Sequence, residues 1–150
     1  MTDPDALRWM RAAIDLSRRC PPSDTAFSVG AIIVSARGEQ IASGYSRESD
    51  PVEHAEQAAL AKLPSGHDAV AGSTLYSTLE PCSARASRSL TCTDLVLRSG
   101  IKRVVIAWRE PSVFVEGRGY EYLTAAGVVV EELPELADDA RHVNNHLYPT

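Results

Sequence analysis

Cysteine is scarce in this sequence, which contains three cysteines in 150 residues. Small secreted domains that depend on disulfides need a denser framework, so these cysteines are better interpreted as metal ligands or free thiols. The sequence also contains no apolar run long enough to span a bilayer and no signal-peptide pattern. We therefore expect a cytoplasmic protein that has no membrane partner.

Positive charge is also in short supply. The formal net charge is −5 at pH 7, and no sustained basic run is present. Proteins that bind nucleic acid along its phosphates cluster Lys and Arg on one face, a pattern that this sequence does not show. The charge therefore argues against nucleic acid as a partner and favours a small molecule.

Repeats, low-complexity tracts and internal linkers are absent as well. Hydrophobic residues make up 44% of the sequence and charged residues 23%, a composition that is typical of globular domains. A chain of this length is long enough to bury one sizeable core. We expect residues 1–150 to form a single domain.

Hydrophobic periodicity predicts helices that alternate with strands along the chain. The predicted helices cover Asp5 to Arg19, a segment that begins close to His54, Leu90 to Ser99, Tyr120 to Ala126 and Leu136 to Leu147. The predicted strands cover Phe27 to Ser35, Gln40 to Tyr45, Thr74 to Leu79, Arg103 to Trp108 and Val128 to Glu131. Because the first two strands form a hairpin and the later ones alternate with helices, the pattern predicts an α/β protein in which helices cover both faces of a mixed sheet.

Residues with the strongest chemical signal lie between positions 54 and 92. His54 and Glu56 are separated by one residue, and Cys82 and Cys92 follow at the other end of the stretch. A catalytic zinc takes three protein ligands and leaves a fourth position for a water molecule, whose pKa it lowers to about 7. A His-x-Glu motif followed by Pro-Cys-x-x-Cys is the signature of zinc-dependent base and nucleoside deaminases, in which the glutamate moves protons without binding the metal. Here nine residues, rather than two, separate the two cysteines.

The spacing of the His-x-Glu motif also predicts where a helix begins. Residues two positions apart face away from each other inside a helix, but both can reach a metal that lies just beyond its first turn. Asp50 and Pro51 resemble an N-cap and a first helical residue, with Glu53 at the capping-box position, so we expect the first turn to contain His54. Cys82 follows a proline and is expected to open a second helix or turn, whose N-terminal end favours a thiolate.

Two alternatives to a catalytic site are open. A single His or Cys is most often a packing residue, although here the apolar strand Thr74 to Leu79 leads directly into Glu80-Pro81-Cys82, which favours a metal site over coincidence. A purely structural zinc site would normally have a fourth protein ligand. No such ligand is evident in the sequence, so a catalytic site is the preferred interpretation.

Further motifs extend the pattern over nearly the whole chain. They are Val29-Gly30-Ala31-Ile32-Ile33-Val34, Gly44-Tyr45, Ala59-Leu60, Thr74-Leu75-Tyr76, Leu79-Glu80-Pro81-Cys82, and Gly117-x-Gly119 followed by Leu123 and Ala126-Gly127-Val128. With these motifs the sequence resembles the cytidine deaminase superfamily. It is most similar to the deaminase domain of the riboflavin-biosynthesis deaminase-reductases, which also have a widely spaced second cysteine.

The resemblance implies a fold and a set of roles. The fold would be a three-layer α/β/α sandwich with a five-stranded mixed sheet, and the protein would assemble as a homodimer or homotetramer. His54, Cys82 and Cys92 would bind Zn²⁺, and Glu56 would be the proton shuttle. No region of the sequence resembles the reductase, so we expect the deamination step alone.

The sequence departs from the riboflavin pattern around the expected substrate site. The family's Pro-Asn-Pro is replaced by a stretch that ends in Phe27 and Ser28, Ser46 replaces a histidine, and the loop between the cysteines has one additional residue. Ser28 and Ser46 are candidate substrate contacts, and Phe27 either stacks on a base or is an aromatic residue at the edge of the core. Arg85 and Arg88 in the inter-cysteine loop either bind a substrate phosphate or are simply solvated.

The sequence therefore predicts a zinc-dependent hydrolase that deaminates an amino-substituted pyrimidine-like ring. The ring would be part of a free base, nucleoside or nucleotide, with the riboflavin-pathway aminopyrimidine as one candidate. Deamination of cytosine, cytidine, guanine or tRNA adenosine is the alternative within this class. A zinc-stabilised binding protein without turnover is the alternative from a different class, and ammonia release distinguishes it from an enzyme.

Overall fold

The computed structural model of the protein describes residues 3–63, 70, 72–82, 91–109 and 119–147. The helices are α1 (Pro4–Ser17), α2 (Ala55–Ala61), α3 (Cys92–Ser99), α4 (Gly119–Ala125) and α5 (Ala137–His142). The strands are β1 (Gly30–Val34), β2 (Gln40–Tyr45), β3 (Thr74–Leu79), β4 (Arg103–Trp108) and β5 (Val129–Glu132). One-turn 3₁₀ segments at Pro134–Leu136 and Asn145–Leu147 flank α5. No helix in the described part of the chain combines the length and the apolar composition needed to cross a bilayer.

The five strands form one mixed sheet in the order β2-β1-β3-β4-β5. β1 is antiparallel to both β2 and β3, whereas β3, β4 and β5 run parallel to one another. This arrangement places the start of β1 beside the ends of the four other strands. We call this side of the sheet the site edge; it contains Gly30, Tyr45, Leu79, Trp108 and Glu132.

Helices cover both faces of the sheet. On one face α1 packs on β1 and β3, and α5 packs on β4 and contacts α1. On the other face α2 packs on β1 and β2, α3 contacts α2 and α4, and α4 contacts β5. The predicted three-layer α/β/α sandwich with a five-stranded mixed sheet is therefore confirmed.

The core lies along the central strands. Every residue of β1 and β3 is buried, and so are five of the six residues of β4. Ile32, Ile33, Leu75, Val104 and Ile106 have almost no exposed surface. Such continuous apolar strands are expected where a sheet is covered on both faces, because neither face of the strand then contacts water.

Helix α1 is placed by a cap at its start and by a glycine on the sheet below it. The side chain of Asp3 accepts a hydrogen bond from the N–H of Asp5, and Pro4 occupies the first helical position. A Cβ atom added to Gly30 would lie 1.8 Å from the carbonyl oxygen of Ala13 in α1. Glycine at this position therefore lets α1 lie directly on the start of β1, next to the site edge.

Three predicted features are wrong: the start of one strand, the continuity of one helix and the cap of another helix. β1 begins at Gly30 rather than Phe27, because the backbone groups of Ser28 bond to the side chain of Asn144 instead of a neighbouring strand. The predicted helix from Leu136 to Leu147 is divided into α5 and two 3₁₀ segments. The interruption lies at Asn144, whose N–H bonds to the carbonyl of Arg141, three residues earlier. The side chain of Asn144 is buried. The third feature, the cap of α2, is part of the site.

Candidate active site

His54, Cys82 and Cys92 form a cluster at the site edge. Their ligand atoms all lie within 4.8 Å of one another. His54 Nδ1 is 3.5 Å from Cys82 Sγ and 3.3 Å from Cys92 Sγ. Within the described residues this is the only group of three His, Cys, Asp or Glu side chains that meets the spacing of a metal site. The structure thus brings together the three residues that the sequence predicts as ligands.

His54 is the N-cap residue of α2. Its backbone is extended, with φ −92° and ψ 156°, and Oε1 of Gln57 accepts a hydrogen bond from its N–H at 3.4 Å. Asp50 and Glu53 belong to a separate turn, in which the N–H of Glu53 bonds to the carbonyl of Asp50. The predicted cap at Asp50 is therefore wrong. The prediction that a helix begins close to His54 is confirmed, since α2 begins at Ala55.

Cys82 and Cys92 are brought together by the end of β3 and the start of α3. Cys82 lies three residues beyond Leu79, and Cys92 is the first residue of α3. The N–H of Cys92 donates to Cys82 Sγ at 3.2 Å, and Thr93 Oγ1 donates to the carbonyl of Cys82 at 2.8 Å. The helix or turn predicted to open at Cys82 would involve residues 83–90, which lie outside the described residues.

The start of α3 is stabilised by a capping box. Thr91 Oγ1 accepts a hydrogen bond from the N–H of Asp94, and Asp94 Oδ2 accepts one from the N–H of Thr91, each at 3.1 Å. Cys92 occupies the position next to the cap, where the positive end of the helix dipole favours a thiolate. Among the described residues, Cys92 is therefore the cysteine that lies at a capped helix N-terminus.

The two thiols influence each other's ionisation. A hydrogen bond with Cys92, reinforced by the ring of His54, lowers the pKa of Cys82 to about 5. The same hydrogen bond with Cys82, together with burial and the nearby Glu56 carboxylate, raises the pKa of Cys92 well above its usual range. Because two buried thiols in contact oppose each other's ionisation, a positive charge between them is needed to keep both as thiolates.

Glu56 lies in the first turn of α2 and is 3% exposed. Ser77, in the centre of β3, donates a hydrogen bond to its Oε1 at 2.6 Å. A buried carboxyl group is costly unless it is hydrogen-bonded, so this contact helps to retain Glu56 beside the cluster. Sequence analysis did not identify Ser77, because no local pattern links it to a residue 21 positions earlier.

Glu80 is a second buried carboxylate that the sequence analysis left without a role. It is 3% exposed, and its Oε2 accepts a hydrogen bond from the N–H of Tyr120 at 2.6 Å. A Cβ atom added to the adjacent Gly119 would lie 2.1 Å from the carbonyl oxygen of Pro81. Glu80 and Gly119 therefore fix the start of α4 against the segment that leads into Cys82.

Phe27, one of the substrate-binding candidates, lies at the site edge and is 8% exposed. Its ring contacts Trp108 at the end of β4 edge to face, with 5.7 Å between the ring centroids. This position fits both roles considered for Phe27. The ring can be an aromatic residue at the border of the core, and a ring at that border can also contact a ligand. Stacking on a base remains a prediction.

Ser28 and Ser46, the other described candidates, are both buried and already hydrogen-bonded within the protein. Ser28 Oγ accepts from Arg47 Nη2 at 2.7 Å, while Asn144 bonds to both backbone groups of Ser28. Ser46 Oγ accepts from the N–H of Val29 at 2.9 Å. These serines fix the backbone around the start of β1, and their contact with a substrate remains a prediction.

Arg47 is a residue of this region that the sequence analysis missed. Its guanidinium donates to the carbonyl oxygens of Pro21 and Phe27 as well as to Ser28. Its φ of 60° lies in the left-handed region, which few residues other than glycine adopt. Arg47 thereby connects the segment before β1 to the end of β2.

Arg85 and Arg88, the candidates for phosphate binding, lie outside the described residues.

Several proteins with assigned functions are similar to this chain along most of its length. A diaminohydroxyphosphoribosylamino-pyrimidine deaminase of Schizosaccharomyces pombe is 41% identical over 133 residues, which are 87% of this chain and 33% of that protein. Riboflavin biosynthesis protein RibD of Aquifex aeolicus is 36% identical over 144 residues, which are 93% of this chain and 38% of that protein. The chain therefore spans only 33% and 38% of the lengths of these two relatives.

The fold is shared with a solved structure. The crystal structure of Aspergillus oryzae Rib2 deaminase, a C-terminal deletion mutant at pH 6.5, matches with a TM-score of 0.80 and 27% sequence identity. The match covers 92% of this chain and 89% of that chain. The two structures therefore share most of the fold described above.

Residues 4–108 match the family described as the cytidine and deoxycytidylate deaminase zinc-binding region. The matched segment contains Glu56 and all three residues of the cluster. It also contains the four strands from β1 to β4, which make up most of the sheet. The chain therefore belongs to the cytidine and deoxycytidylate deaminase zinc-binding family.

Proposed function

We propose that this protein is a zinc-dependent hydrolytic deaminase that replaces the exocyclic amine of a pyrimidine-like ring with oxygen. The observation that carries the proposal is the position of Glu56, a buried carboxyl group two residues from His54 and beside the thiol of Cys92. A structural metal site needs no carboxyl group at this place. A hydrolytic site does, because a proton has to move from water to the substrate.

The geometry of the cluster fits Zn²⁺. With Zn–S and Zn–N bonds of about 2.3 and 2.0 Å, a nitrogen and a sulfur ligand in a tetrahedral site lie about 3.5 Å apart. The measured distances from His54 Nδ1 to the two sulfur atoms are 3.5 and 3.3 Å. A divalent cation would also supply the positive charge that two neighbouring thiolates require. His54, Cys82 and Cys92 would hold the metal, and in the described residues no fourth side chain completes the set.

Glu56 would carry the protons of the reaction. Zinc, when bound, would supply Lewis acidity and a lowered pKa for water. Glu56 would accept one proton from the attacking water and deliver it to the ring nitrogen adjacent to the reacting carbon. It would then take the second proton of that water from the hydroxyl group now on the ring carbon and pass it to the amine. The bond between carbon and amine breaks, so that water and the aminated ring give ammonia and the oxygenated ring. The surrounding protein would exclude bulk water from Glu56, which is almost completely buried.

The substrate that we propose first is the riboflavin-pathway aminopyrimidine. The support is the name of the Schizosaccharomyces pombe relative, a diaminohydroxyphosphoribosylamino-pyrimidine deaminase that is 41% identical to this chain. Cytidine or deoxycytidylate is the second candidate, because the matched family includes deaminases of both. The sequence differs from the riboflavin pattern at Phe27, Ser28 and Ser46, which is a further reason to test cytidine and deoxycytidylate as substrates.

Other properties that we propose follow from composition and resemblance. The protein would be a single domain over residues 1–150, assemble as a homodimer or homotetramer, and act in the cytoplasm. Its net charge of −5 predicts weak and non-specific binding of nucleic acid at physiological salt. Tight tRNA binding under these conditions would move tRNA adenosine to the first place among the substrates.

Ammonia release tests the proposed function. The zinc-loaded protein would be incubated with the riboflavin-pathway aminopyrimidine, dCMP, cytidine, cytosine and guanine, and ammonia would be measured for each. We expect release from the aminopyrimidine. We also expect the Glu56→Ala variant to keep its zinc and fold while losing about 10²- to 10⁴-fold in turnover, because general acid and base groups contribute that much.

Two outcomes would contradict the proposal. A Glu56→Ala variant that keeps wild-type turnover would remove the assigned proton carrier. Wild-type protein that holds zinc but releases no ammonia from any of these rings would favour a zinc-stabilised binding protein without turnover.

A further inference from the structure

Ser77 is the buried polar residue that contacts Glu56 most directly. It lies in the centre of β3 between β1 and β4, and none of its surface is exposed. Its Oγ is 2.6 Å from Glu56 Oε1 and 2.7 Å from the carbonyl oxygen of Leu79. Both distances are at the short end of the range for hydrogen bonds of a hydroxyl group.

A serine hydroxyl has one hydrogen but can accept through its oxygen as well. Glu56 Oε1 and the carbonyl oxygen of Leu79 both lie within hydrogen-bond distance of Ser77 Oγ. The carbonyl of Leu79, in the same strand, thus helps to hold the hydroxyl group next to the Glu56 carboxyl group.

We propose that Ser77 is a positioning residue for Glu56. The inference rests on the proposed function, because it assumes that Glu56 carries protons. Ser77 anchors one carboxyl oxygen from the central strand of the sheet, so that the other oxygen keeps a fixed orientation toward the reacting atoms. Misplacement of a catalytic group by about 1 Å costs on the order of a hundredfold in rate, which is the scale on which such an anchor acts.

A set of variants at position 77 tests the role. Ser77→Ala removes the hydroxyl group, and Ser77→Thr and Ser77→Val form a matched pair of β-branched side chains that differ by that group. We expect Ala and Val to lower kcat by about tenfold to a hundredfold with little change in KM, and Thr to restore most of the loss. Zinc content should remain that of the wild type in all three.

Thr78→Val is the matched control on the same strand. Thr78 is also buried, and its Oγ1 accepts a hydrogen bond from the N–H of Gly30 at 3.2 Å. Because neighbouring strand residues face opposite sides of the sheet, its side chain does not face Glu56. The control should lose stability but keep kcat. An equal loss of kcat in Thr78→Val would overturn the proposal, since it would show that any loosening of β3 slows the reaction.

The crystal structure of zinc-loaded Ser77→Ala gives a readout that does not depend on turnover. We expect its Glu56 carboxyl group to be rotated or divided between conformers relative to the wild type. A Glu56 carboxyl group in the wild-type orientation would overturn the proposal, as would wild-type kcat in Ser77→Ala or equal losses in the Thr and Val variants. If the wild-type protein releases no ammonia from any ring, the proposed function fails, and the orientation of Glu56 in this structure alone decides the role of Ser77.

Discussion

At the scale of single residues, the polar side chains around the cluster bond to partners in other elements. Glu56 in α2 bonds to Ser77 in β3, and Glu80 after β3 bonds to the backbone of Tyr120 in α4. A buried polar group that loses its partner costs about 1 to 3 kcal/mol. Each of these residues therefore serves two purposes, since it satisfies a neighbour and fixes the position of a segment that contributes to the site.

The metal ligands provide the prediction at this scale. The wild-type protein should contain about one zinc per chain, and Cys92→Ala should lose most of it, because two remaining ligands bind zinc far more weakly than three. Metal analysis of the purified proteins measures this directly. Cys20→Ala is the control, since Cys20 is a free thiol outside the cluster whose Sγ contacts the carbonyl of Val29 at 3.5 Å. Full zinc retention by Cys92→Ala would remove the widely spaced cysteine from the ligand set.

At the scale of elements, the position of α2 decides where His54 and Glu56 lie. This helix packs on β2 at Gly44, where an added Cβ atom would lie 2.6 Å from the N of Ala59 and 2.7 Å from the carbonyl oxygen of Ala55. Both contacts are with backbone atoms, which cannot rotate away as a side chain can. The absence of a side chain at Gly44 therefore sets the distance between the helix and the sheet.

Gly44→Ala should displace α2 and disturb the cluster at its N-terminus. We expect a loss of about 1 to 3 kcal/mol in the free energy of unfolding, as for other overpacked sites, together with weaker zinc binding. Denaturant unfolding and a competitive zinc chelator measure the two effects. Ser43→Ala on the preceding residue of β2 is the control and should change neither. Unchanged stability and zinc affinity in Gly44→Ala would show that α2 can shift without affecting the site.

At the scale of the whole molecule, the cluster connects parts of the chain that the sheet alone leaves separate. His54 caps the start of α2, Cys82 follows β3, and Cys92 is the first residue of α3. A metal bound to all three would link two helices on one face of the sheet to the end of a central strand. Because the ligands come together only in the folded chain, metal binding should stabilise the fold.

Removal of zinc should therefore lower the melting temperature. A ligand present at about a thousand times its Kd contributes about 4 kcal/mol, which corresponds to roughly 10 °C for a domain of this size. Thermal unfolding with and without a strong chelator measures the shift. Cys92→Ala should melt at a lower temperature than the wild type and respond little to the chelator. Equal melting temperatures of the wild type with and without chelator would show that the metal makes no contribution to the fold.

Much of the architecture and the cluster could be predicted from the sequence. The number, type and order of the strands and helices follow from local periodicity, and most of the predicted boundaries lie within two residues of the observed ones. His54, Cys82 and Cys92 were recognised because metal ligation requires particular residue types at characteristic spacings, which are visible in a linear sequence. Glu56 was recognised in the same way, from its separation of one residue from His54.

The contacts that hold these residues in place were decided by the tertiary structure. Ser77 meets Glu56, and Asn144 meets Ser28 across 116 positions, because strand order and helix packing bring distant segments together. The start of α2 was misplaced for a local reason, since the N–H of Glu53 bonds to the carbonyl of Asp50 in a separate turn and leaves His54 as the cap. A hydrogen bond between distant residues depends on distance and direction in three dimensions. Local sequence patterns encode the preferences of each segment, whereas the register and spacing between segments emerge when they pack against one another.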